Sequence, residues 1–100
     1  MDAIENFRSN YDGELAKLGF VLREVGSSYL IYKKYPASTH VADPSPDYIL
    51  TISFNNDRIK DIKLTTYKYY LVNEYHPKKL KHTDHFTSME KLLVFLGADI

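Results

Sequence analysis

The chain contains no cysteine and no tryptophan. The first absence removes disulfides, thiolate catalysis and cysteine-ligated zinc together, leaves the fold to rest on packing, and fits a reducing compartment. Glycine and proline are scarce, at four each. No glycine cluster is available to cradle a phosphate, and no serine sits in a G-x-S-x-G elbow. Long apolar stretches are missing too: the longest run, Leu92 to Leu96, falls far short of the roughly 20 residues that span a bilayer. Met1 to Phe7 carries Asp2 and Glu5 where a secretory signal would carry positive charge followed by an apolar stretch. A cytoplasmic protein with no membrane partner is therefore expected.

Net charge is also absent, because 13 basic and 13 acidic residues cancel. The balance is uneven, however: residues 58 to 85 hold seven basic and three acidic groups, and the rest of the chain is acidic. Such an excess marks a surface for an anionic partner, or a solvated strand face that collects lysines for solubility. With 100 residues and 44% hydrophobic content, one α+β domain over residues 1–100 is expected, with a single core.

What the chain has in abundance is tyrosine, nine in all. A large ring with a polar tip suits half-buried sheet faces and contact surfaces better than sealed interiors. Ile4, Phe7, Tyr11, Leu15 and Leu18 recur at intervals of three and four, predicting a first helix with Asp2 as its cap and Gly19 just past its end. Gly13 predicts an irregularity within it. Phe20 to Val25 and Tyr29 to Tyr35 read as a hairpin closed by Gly26, Ser27 and Ser28. The stretch Pro36 to Pro46 has three prolines and no period, and reads as an exposed loop at 36–46.

Tyr48, Leu50, Ile52 and Phe54 alternate with Ile49, Thr51 and Ser53, the clearest two-residue period in the chain. The chain then turns at Asn55, Asn56 and Asp57 and returns through Ile59 to Thr66, with Ile62 and Leu64 on the inner side. Tyr67 to Tyr75 either extends this strand, to about Val72, or leaves the sheet before His76-Pro77 breaks it. Thr87 and Glu90 match a capping box for a second helix, with Met89, Leu92, Leu93 and Leu96 as its stripe and Gly97 at its stop. The order α-β-β-β-β-α predicts an antiparallel four-stranded sheet with two helices on one face. Leu50, Ile52, Phe54, Ile62 and Leu64 should pack under Phe7, Leu15, Leu18, Leu92, Leu93 and Leu96.

Three kinds of function are open to such a chain. Thr51, Ser53, Lys63, Thr65, Tyr67 and Tyr69 would share the second face of the sheet, a mixture too aromatic for an indifferent surface and too polar for a hidden core. They define a partner-binding surface for a protein-interaction module, a homodimer or an accessory protein. Tyr29, Tyr32, Tyr35 and Tyr48 would extend the aromatic face across the sheet. The alternation of Lys63, Tyr67, Lys68, Tyr69 and Tyr70, followed by Lys78, Lys79 and Lys81, also fits a weak single-stranded nucleic-acid binder, with rings on bases and ammoniums on phosphates. Only three arginines and zero net charge weigh against that reading. Finally, His76, His82, Asp84 and His85 could converge on a metal, or His76 or His85 could pair with Glu74 or Asp84 for acid-base chemistry in a small enzyme. Their spacing matches no H-E-x-x-H pattern, so no metal, cofactor or catalytic residue is assigned.

Overall fold

The computed structural model describes the backbone of residues 2–35, 46–73 and 76–98, and the side chains of these outside 68–80 and Ala98. The chain is α+β. It runs α1 (Ala3–Lys17), β1 (Val21–Val25), β2 (Tyr29–Lys34), β3 (Tyr48–Asn55), β4 (Arg58–Asn73), β5 (His76–Phe86) and α2 (Met89–Ala98). The strands form one antiparallel sheet in the order β1-β2-β3-β4-β5, each paired with its neighbour in sequence. The expected loop at 36–46 falls almost wholly outside the described residues.

Asp2 caps α1 as expected, its Oδ1 accepting from the Glu5 N–H at 2.8 Å. At the other end Gly19 takes φ +93°, and its N–H donates to the Ala16 carbonyl while that of Phe20 donates to Leu15. This double closure satisfies the last carbonyls and turns Phe20 back beside Leu15 in the core. Gly13 brings no break, because α1 is continuous through it. At the β3–β4 turn Asn56 adopts the left-handed conformation, φ 57°, which asparagine tolerates better than most side chains.

The sheet has five strands, which corrects the expected four. Residues 76–86, expected in no strand after the His76-Pro77 break, form β5, pairing with β4 from Ile62↔Phe86 to Asn73↔His76. An edge strand is held from one side only and needs no apolar alternation, so HPKKLKHTDHF carries little periodic signal. Pro77 is its second residue, a position where a missing N–H is tolerated on an edge. β4 is correspondingly long. Its 16 residues span about 53 Å at the usual strand rise, matching the 51 Å long axis of the molecule. β3 pairs with it only as far as Tyr48↔Thr66, so the far part of β4 pairs with β5 alone as a two-stranded ribbon.

The start of α2 also departs from expectation by one residue. Strand β5 runs to Phe86, so Ser88 rather than Thr87 is the cap: its Oγ accepts from the Lys91 N–H at 3.2 Å and its carbonyl from Leu92. Gly97 lies inside α2 rather than past it.

One core cluster gathers Phe7 and Leu15 of α1, Phe20 just before β1, Met89, Leu92 and Leu96 of α2, and Leu30, Tyr32, Leu50, Ile52, Phe54, Ile62 and Leu64 of the strands. Every expected core residue belongs to it or packs against it, Leu18 and Leu93 only partly buried. Phe7 anchors the junction, its ring 4.8 Å from Tyr11 and 5.9 Å, edge-on, from Phe54. Bulges break the register at Leu22/Glu24 and Ser53/Phe54. The second sets Phe54 opposite Ile59 and leaves Lys60 as the extra residue of β4.

Candidate interaction surface

The strand register sorts the remaining side chains into rows of the opposite parity. One row runs Tyr29–Ser53–Asp61, the next Ile31–Thr51–Lys63–His85, the third Lys33–Ile49–Thr65–Thr83. Beyond them Tyr67 lies opposite Lys81, and Tyr69 opposite Lys79 in backbone register. Thr51 and Lys63 are thus direct cross-strand neighbours, with Ser53 and Thr65 one row to either side. Tyr67 stands at the junction with the ribbon, and the Tyr69 side chain lies outside the described residues. None of these residues belongs to the core cluster.

Ile31, Lys33 and Ile49 were not among the candidate residues, although they share these rows, and Lys81 belonged only to the nucleic-acid reading. The signal for Ile31 and Lys33 was their alternation with Leu30 and Tyr32. Lys81 needed β5 to be recognised as a strand. Ile31, Ile49 and Thr51 are half-buried, and Thr65 is only 5% exposed between its cross-strand partners Ile49 and Thr83. The middle of the face is therefore β-branched and closely set.

The tyrosines are divided rather than massed. Tyr32, expected on the aromatic face, is 1% exposed in the core, and Tyr48 packs against that core with the Lys34 ammonium 5.6 Å from its ring centre. Tyr32 lies two residues from Leu30 on β2 and Tyr48 two from Leu50 on β3, so strand alternation sends both inward. The Tyr32 hydroxyl donates to Asp12 Oδ1, and burial first, then this bond, raise its pKa far above the ordinary 10.0. On the other parity Tyr29 donates to Glu24 Oε1 at 2.8 Å, a bond that raises its pKa as well. The Arg23 guanidinium lies 5.1 Å from the ring centre of Tyr35.

The histidine cluster is dispersed by the pleat. His82 and Asp84 share one side of β5, with Nε2 and Oδ1 3.2 Å apart, while His85 on the other side lies 3.0 Å through Nδ1 from Asp61 Oδ1. Both imidazoles are largely exposed. Among the described residues no three histidine or carboxylate side chains come together to hold a metal ion. Glu74 and the His76 side chain lie outside them. A hollow of about 360 Å³ between α1 and the β3–β4 turn is lined by Asn6, Asn10, Tyr11, Arg58 and Ile59 among others, and includes none of the candidate site residues. No helix among the described residues is long and apolar enough to cross a membrane.

Compared with protein families, curated proteins and solved structures, the chain has no match.

Proposed function

We propose that the protein is a small interaction module that docks a protein partner on the sheet face made by Ile31, Lys33, Ile49, Thr51, Lys63 and Thr65. In this reading both helices lie over the other face, since all sheet members of their core cluster share one parity within the register. The observation that carries the proposal is the contrast between the edges of the sheet and its second face. Each edge bears devices that discourage strand addition: a bulge with Arg23 and Glu24 on β1, and Pro77 with a run of lysines on β5. The face instead sets half-buried Ile31, Ile49 and Thr51 and buried Thr65 side by side, with Lys33 and Lys63 at their border. An apolar centre with a polar rim is the anatomy of a contact surface.

Photo-crosslinking tests this. A photoreactive residue at Ile49 or Thr51 should form a defined protein adduct in the native cell, identified by mass, whereas one at the exposed Lys17 of α1 should not. Equal adducts from all three positions, or adducts from Lys17 alone, would overturn the assignment. A second reading, single-stranded nucleic-acid binding, draws on the ribbon, where Tyr67 opposes Lys81 and Tyr69 opposes Lys79.

A further inference from the structure

Resting on that docking face, we infer the chemistry of its occupant: an acidic segment of another protein, held by Lys33, Lys63 and Lys81 around the Ile49–Thr65 centre. The face and its borders bring together Arg23, Lys33, Lys63 and Lys81 against three carboxylates: Glu24, Asp61 and, in the Tyr67 row just before β3, Asp47. Two of the three are already engaged, Glu24 by the Tyr29 hydroxyl and Asp61 by His85, which leaves three lysines facing Asp47 alone. The ion pairs among the described residues use Arg8, Lys17, His82 and His85, and leave the three lysines out. The chain as a whole is neutral, so this surplus is local to the face.

Spacing then excludes a single small anion. With strands about 4.8 Å apart and same-face residues about 6.7 Å apart along a strand, the three lysine backbones form a triangle with sides of about 12 to 16 Å. One phosphate cannot reach all three; several carboxylates on one polypeptide segment can. A second copy of this chain fits badly, because stacking two such faces sets like charges against each other. Nucleic acid fits less well than protein, because two of the described rings on this face, Tyr35 and Tyr29, are committed elsewhere. Tyr35 has Arg23 against its ring, and Tyr29 is tethered to Glu24 with its ring close over Gly26. A base needs an open ring face to stack on.

The test is a titration of the ¹⁵N-labelled full chain with three probes: a synthetic peptide alternating glutamate and leucine, the same peptide with lysine for glutamate, and an oligo(dT) strand. The glutamate peptide should move the amide resonances of Thr51, Lys63 and Thr65, and its affinity should fall with added salt. It should fall on the order of tenfold in Lys33→Glu/Lys63→Glu, while Lys17→Glu/Lys91→Glu, which makes the same change of net charge elsewhere, leaves it unmoved. Circular dichroism confirms that both variants fold. Tighter binding of oligo(dT) on these amides would overturn the inference in favour of nucleic acid while keeping the face as a contact surface. Concentration-dependent broadening of the same amides without any probe would overturn it in favour of a second copy. If no probe moves the face the inference fails, and crosslinking at Ile49 then decides separately whether the face is a contact surface at all.

Discussion

Replacing Tyr32 by phenylalanine removes one buried oxygen and leaves the ring, so it isolates the polar link between the sheet and α1. The hydroxyl donates to Asp12 Oδ1, and Asp12 Oδ2 in turn accepts from Arg8 Nε at 3.0 Å. A hydrogen bond to a charged acceptor contributes about 1.5 to 3 kcal/mol. Here the lower end applies, because the Asp12 side chain is 35% exposed and keeps Arg8, so its carboxylate is not orphaned when the hydroxyl goes. A loss of about 1.5 kcal/mol lowers the melting temperature of a domain this size by about 6 to 12 °C.

The pH dependence gives the same residue a second signature. Folding raises the Tyr32 pKa above its ordinary 10.0, through burial first and the Asp12 bond second, with Arg8 opposing. Below pH 10.0 the hydroxyl is protonated in both states and its contribution is fully present. Above that value the unfolded chain releases the proton while the folded chain holds it, so stability falls as pH rises. Phenylalanine cannot ionise, and the phenylalanine variant lacks this loss. Urea denaturation of both proteins, at neutral pH and above pH 10.0, should therefore show a gap that narrows in alkali with unchanged slope. Tyr29 also titrates high, but it is present in both proteins and cancels. Equal midpoints at neutral pH, or a gap that stays constant into alkali, would refute the reasoning.

Three further outcomes follow from packing and caps. Ile52→Ala and Leu92→Ala, both fully buried, should each cost about 2 to 5 kcal/mol by urea denaturation; the half-buried Leu93→Ala should cost clearly less. Gly26→Ala should destabilise the first hairpin, because its new Cβ would lie 2.1 Å from the Tyr29 ring; adding Tyr29→Ala should relieve the effect in a double-mutant cycle. Ser88→Ala should cost about 1 kcal/mol through loss of the α2 cap, whereas Thr87→Ala should change the melting temperature little.

Much of this architecture is legible in the chain because burial imposes periods on it. Phe7, Leu15, Leu50, Ile52, Ile62, Leu64 and Leu92 fall where their spacing places them, and Asp2 and Gly19 close α1 through backbone chemistry that few other residues supply. Where one side of an element faces water, the period fades. Strand β5 carries a lone leucine before Phe86, and its lysines and histidines resemble those of a loop, since backbone pairing asks nothing of the side chains. The α2 cap slipped by one residue for a related reason: threonine and serine stand side by side, and only the end of β5 at Phe86 decides between them.

The second face of the sheet is the hardest part to read, and the reason is physical. Isoleucine, threonine and tyrosine are favoured on a pleated strand whether or not anything docks there, so their enrichment alone cannot separate a contact surface from a solvated one. Tyr32 illustrates the ambiguity. As a residue type it suits an interface, yet parity places it in the core, where Asp12 meets its hydroxyl. Lysines also keep a solvated strand soluble, so charge by itself does not decide either; what it adds is an arrangement, three lysines left out of the ion pairs among the described residues. Lys33 comes from β2, Lys63 from β4 and Lys81 from β5, so this constellation exists only once the sheet is assembled in register. It is a property of the fold, and in the proposed docking face the lysines, more than the tyrosines, would set which partner binds.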